Sequence, residues 1–213
     1  MTHSDDTVPA SPAWTRREEV LLAGSAIGPD AEATVDRGLD DPDPKVRIVA
    51  LGGLSRQGRL NVTTLSRALA DADPNVRIRA AQLSGHVGLP CIPALLGLIP
   101  GEVGVEIACL VAIADLGATD AFDFVMTVAR ATEEPLVLEE AVATLGALGV
   151  ADGLDVVLEA TTGRPALRRR AVAALGAFEG PSVEEALDRL AEDRDWQVRQ
   201  AVAMLRRPPL DGS

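Results

Sequence analysis

Residues 39–58 read LDDPDPKVRIVALGGLSRQG, and residues 69–88 read LADADPNVRIRAAQLSGHVG. Aspartate, proline, valine, arginine, a small residue and a closing glycine recur in the same order, thirty residues apart. The valine of this motif anchors a longer series: Val46, Val76, Val105, Val137, Leu167 and Val198, at intervals of 30, 29, 32, 30 and 31. Four residues after each anchor stands Ala50, Ala80, Cys109, Ala141 or Ala171, with Val202 in the last unit. Eight residues after it stands Leu54, Ile113, Leu145 or Leu175, with Ser84 the exception. Gly58, Gly88, Gly117, Gly149 and, one residue late, Gly180 close the units, and Gly28 fits the same phase. The stretch TRREEVLLAGSAIG (15–28) therefore reads as the second helix of an earlier, degenerate unit.

Offsets of four and eight put these residues on one helical stripe. The terminal glycine suits the position after a helix end, where a left-handed backbone is needed and a Cβ would be strained. Asp43 and Asp73 precede Pro44 and Pro74, which is the order of an N-cap followed by a first helical residue. Upstream of each turn lies a second apolar-periodic segment, such as NVTTLSRALA (61–70) or AFDFVMTVAR (121–130). Each unit thus reads as helix, tight turn, helix, glycine, with helices of about ten to thirteen residues. One such pair cannot bury its apolar faces alone, and stacked pairs can. The expected fold is all-α, an α-solenoid of about six to seven stacked helix-turn-helix repeats. The expected organisation is an N-terminal arm over 1–14, one solenoid over 15–207 and a flexible tail over 208–213.

Composition fits that fold and narrows the function. Aromatic residues make up 2% of the 213, with no Tyr, so the core must be Ala, Leu, Val and Ile. Small and aliphatic side chains let helix axes approach closely. The formal net charge of −12 disfavours a duplex-binding surface, which needs a basic footprint. Two cysteines, Cys91 and Cys109, are too few for a disulfide framework and match no zinc spacing. The first residues lack the basic and apolar regions of a secretory signal. No run of roughly 18 apolar residues suggests a membrane span. A cytoplasmic protein is expected, with no membrane insertion and no nucleic-acid partner.

The pattern Asp-x-x-x-x-Val-Arg-x-x-Ala resembles HEAT repeats, over roughly residues 15–207. Its thirty-residue period is similar to the short HEAT-like repeats of phycobilisome lyase proteins. The resemblance implies a ladder of Asp and Arg that holds each turn and its register, and second helices that line a concave face. Candidate ladder pairs are Asp41 with Arg47, Asp71 with Arg77 and Asp193 with Arg199. The two members of a pair lie six residues apart and can meet across their own turn or across to the next unit. An Arg fork can donate both to a carboxylate and to the last carbonyls of the first helix. The competing reading makes these arginines anion ligands. The ladder is interrupted: the Arg column holds Glu106 and Leu138, and the Asp column holds Pro100, Thr132 and Thr162. Either the middle of the chain has drifted while packing holds it, or it was released from the ladder to shape a partner surface.

The strongest charge runs are TEEPLVLEE (132–140) and GRPALRRR (163–170). Glu139 falls in register with Arg169, and Glu140 with Arg170, so they either neutralise each other between neighbouring units or form a docking patch. The candidate partner surface is Glu133, Glu134, Glu139, Glu140, Arg168, Arg169 and Arg170. No catalytic motif, metal set or cofactor cradle is recognisable. The leading expectation is a non-catalytic scaffold that binds a protein partner along its second helices, without cofactor or metal. The alternative implied by the resemblance is an accessory or maturation factor of the phycobilisome lyase-like class, a chromophore lyase or an enzyme-assembly chaperone.

Overall fold

A computed structural model describes residues 12–88 and 90–207. The expected arm falls mostly, and the expected tail wholly, outside the described residues; Ala13 and Trp14 already lie in the first helix. Among the described residues there are thirteen α-helices and no strand. In order they are α1 (Ala13–Ala23), α2 (Pro29–Gly38), α3 (Pro44–Arg56), α4 (Val62–Leu69), α5 (Pro74–His86), α6 (Ile92–Leu96) and α7 (Val103–Asp115). Then follow α8 (Phe122–Ala131), α9 (Pro135–Leu148), α10 (Leu154–Ala160), α11 (Pro165–Leu175), α12 (Pro181–Ala191) and α13 (Trp196–Leu205). Each anchor residue lies in an odd-numbered helix from α3 onward, so the even-numbered helices are the first members of the units. The chain divides into two compact units, 1–83 and 84–213, and the division falls inside α5.

In the first unit α1 packs on α3, and α2 packs on both. The degenerate opening stretch is thus a second helix that stacks on the next second helix. In the second unit α7, α9, α11 and α13 stack in turn, with α8, α10 and α12 each against the second helix of its own pair. The small-residue column is buried throughout: Ala50, Ala80, Cys109, Ala141 and Ala171 are all fully buried. The anchors Val46, Val76, Val105, Val137 and Val198 are buried too, each worth about 1.5–3 kcal/mol as a core side chain. At Gly146 the helices approach closely, since a Cβ there would lie 2.5 Å from the Ala174 Cα. Buried Thr144 ties α9 to α7 by donating to the Leu110 carbonyl at 3.2 Å.

Turn chemistry follows the sequence. Asp43, Asp73 and Asp195 accept from the amides of Lys45, Asn75 and Gln197 at 2.8–2.9 Å, which satisfies the otherwise orphan donors of α3, α5 and α13. Gly149 ends α9 in the left-handed region at φ 62°. Three first helices fall short of the expected length: α4 has 8 residues, α10 has 7 and α6 only 5. In α6, Pro93 stands at the second position and Gly97 and Pro100 follow close behind, so the chain has no room for a longer first helix there.

Candidate functional site

Among the described residues, the forks of Arg47, Arg16 and Arg168 share one geometry. Arg47 gives Nε and Nη2 to the Asp71 carboxylate at 2.8 and 2.7 Å. Its Nη1 donates to the carbonyls of Asp41 and Pro42 in its own turn, at 2.8 and 3.2 Å. The Asp71 carboxylate also accepts from the Asp73 amide at 2.9 Å, so one aspartate holds the fork and the turn together. Arg16 takes Asp41 in the same way, with Nε and Nη2 at 2.6 and 2.9 Å. Arg168 takes Asp193, at 2.8 and 2.7 Å, and gives Nη1 to the Gly163 carbonyl. Arg77 and Arg199 reach the carbonyls of Asp71 and Asp193 in their own turns at 2.6 and 2.7 Å.

The carboxylate partner is therefore the aspartate 24 or 25 residues ahead, in the next unit, and not the one six residues behind. The aspartate six residues behind supplies its main-chain carbonyl. Electrostatics agree with the geometry. The Arg16 fork holds the Asp41 carboxyl below the usual range against the pull of burial, with help from the Asp43 amide. The Arg168 fork does the same for Asp193. At Asp71 burial pushes the carboxyl up, yet the Arg47 fork and the Asp73 amide outweigh it and the net direction is down.

The middle joints are built differently. Glu106 stands in the Arg column of α7, buried to 7% exposure. It turns back on its own turn and accepts from the Gly101 amide. Thr132 stands in the Asp column and keeps part of the aspartate's work, since its hydroxyl accepts from the Glu134 amide at 3.2 Å. No fork crosses from one to the other. The space lies open as a groove of about 760 Å³, walled by Ile99, Val103, Phe124 and Val128, with Glu106, Glu133 and Glu134 on it. The next joint, Leu138 with Thr162, leaves a second opening of about 380 Å³. At the joint of Arg47 and Asp71 the corresponding space is about 30 Å³. There the Arg47 guanidinium and its stem take up the space between the turns.

The expected partner patch does not survive as one surface. Arg168 belongs to the ladder and is buried, so it is unavailable to a partner. Glu139 pairs with Arg164 at 2.6 Å instead of Arg169, which donates to Gln197 at 2.7 Å. Glu140 meets Arg170, at 3.3 Å. The stagger between α9 and α11 sets these partners, and equal sequence phase does not reveal it. Glu133 and Glu134 alone of that set lie on the groove.

Cys109 is fully buried, which disfavours its thiolate. Burial, and then the Glu106 charge, push its thiol up to about 12. Among the described residues no group of three His, Cys, Asp or Glu is placed to hold a metal ion, and no helix is long and apolar enough to cross a membrane. Trp14 and Trp196 are exposed at 67% and 61% rather than folded over the core.

No protein-family profile and no curated relative matches the chain. Solved structures share its fold. The complex of CpcE and CpcF of phycocyanin lyase from Nostoc sp. PCC7120 matches with TM-score 0.55 and 20% identity, over 92% of this chain and 90% of that one. The Escherichia coli protein YibA matches with TM-score 0.61 and 13% identity, over 92% and 74%. An engineered protein matches with TM-score 0.57 and 17% identity, over 84% and 95%. The fold is that of HEAT-like helical repeats. The expectation that the chain is not an enzyme is overturned by the first of these, because the same fold builds a lyase. The reason is physical. A solenoid brings together side chains about thirty residues apart in sequence, so a site on it leaves no short motif to find.

Proposed function

We propose that the protein is an accessory or maturation factor of the phycobilisome lyase-like class, acting on a client protein together with a second protein. The observation that carries this reading is the likeness to the phycocyanin lyase complex along nearly the whole of both chains. That relative is itself a complex of two proteins, which supports a protein partner here. The open joints support it further. A pure packing scaffold gains nothing from removing two consecutive forks, whereas a protein that handles a client needs a recess walled by apolar groups with a few polar ones.

Deletion of the gene in the native host tests the reading. The expected result is a client protein that accumulates without its mature mass, seen by intact-mass spectrometry, and that recovers when the gene is restored. Co-purification from the restored strain should return a second protein in fixed ratio. A deletion strain in which every co-purifying protein keeps its mature mass would sink the proposal.

A further inference from the structure

The groove at Glu106 differs from an intact joint in two ways at once. The arginine that would fill it is missing, and a carboxylate stands in its column. Three carboxylates and no basic side chain line it: Glu106 on the buried wall, Glu133 and Glu134 exposed at the rim. The remaining wall is apolar, formed by Ile99, Val103, Phe124 and Val128. A recess with one sign of charge and low-polarity walls concentrates its field on an entering cation. Its volume of about 760 Å³ exceeds one side chain and suits a short segment.

We propose that this groove docks a segment of a protein partner that presents an arginine or lysine beside apolar residues. The basic side chain lies with its stem along Phe124 and Val128 and its charge on Glu106, in the place that the ladder arginine occupies elsewhere. Arginine suits the role best, because its planar fork matches a carboxylate in two parallel hydrogen bonds. The apolar neighbours of that residue cover Ile99 and Val103. The partner thus completes the joint that this chain leaves open. The inference rests on the reading of a protein-handling factor, and it names the chemistry of what is held.

Selection of phage-displayed random heptapeptides on the immobilised full chain tests it. Two variants serve as counter-targets: Glu106→Arg with Thr132→Asp, which reinstalls the ladder, and Glu106→Gln, which keeps the shape and removes the charge. Enriched peptides are expected to carry Arg or Lys next to apolar residues. Their affinity should fall about tenfold or more on the reinstalled ladder and several-fold on Glu106→Gln, both variants showing native circular dichroism. If the ladder variant does not fold, Glu106→Gln decides. No enrichment, enrichment without a basic residue, or equal binding to native chain and Glu106→Gln would overturn the proposal. Equal displacement by spermidine would also overturn it, by putting a small cation in place of a protein segment. The selection uses pure chain, so it can fail while the deletion phenotype stands, and the reverse.

Discussion

Two joints of the second unit are built on the same scheme and finished in opposite ways. At Arg168 the fork spans from its own turn to Asp193, and both side chains are about nine-tenths buried. At Glu106 the fork is absent, the carboxylate folds back to the Gly101 amide, and a groove remains. Both sit on the same buried column, since Val105 and Cys109 are as buried as Leu167 and Ala171 within a few per cent. Packing therefore holds the fold at either joint, and the fork decides only whether the seam between neighbouring turns is filled. The middle of the chain lacks this device and still keeps its core.

That contrast can be broken by mutation. Arg168→Ala leaves Asp193 buried without its fork and should cost about 3 kcal/mol in denaturant unfolding. Leu138→Ala, at an open joint, should cost clearly less. Equal losses would mean that the forked joint is not special. Asp193→Asn should cost about 2 kcal/mol near pH 7. The folded-state carboxyl is depressed, so its contribution is present above the ordinary carboxylate range and is lost as pH falls through the depressed value. The gap between native chain and Asp193→Asn should therefore close below about pH 4, and a gap constant with pH would contradict the pairing.

Reinstalling a joint sharpens the comparison from the other side. Leu138→Arg with Thr162→Asp should fill the 380 Å³ opening and raise the melting temperature. A gain of about 1 kcal/mol corresponds to roughly 2–4 °C in a chain of this size. The smallest effect belongs to the exposed pairs. Arg170→Ala, which loses a 3.3 Å contact to Glu140 with the arginine half exposed, should change stability by less than about 0.5 kcal/mol.

The fold was written plainly in the residues. Val46 and its counterparts, the small column at Ala50 and the closing glycine at Gly149 each impose local geometry, so their spacing alone marks helix, core and turn. The ladder was half legible. The six-residue spacing of Asp41 and Arg47 is real, but it reports a contact to a carbonyl. The ion pairs run forward by 24 or 25 residues, and that second spacing would have revealed Arg16 and moved Arg168 from the surface to the ladder. Glu139 went to Arg164 because the offset of stacked helices is a property of packing, absent from any one helix. The groove was legible only as a lapse in the pattern. Glu106 and Thr132 marked where to look, but a volume exists only once the neighbouring helices are in place.

The most direct test puts the reinstalled joint into the native host. The deletion strain is complemented with Glu106→Arg and Thr132→Asp, and the client's mature fraction is measured by intact-mass spectrometry beside the level of the complementing protein. The account predicts that the variant accumulates like the native chain while the client stays immature. Full maturation by the folded variant would contradict it.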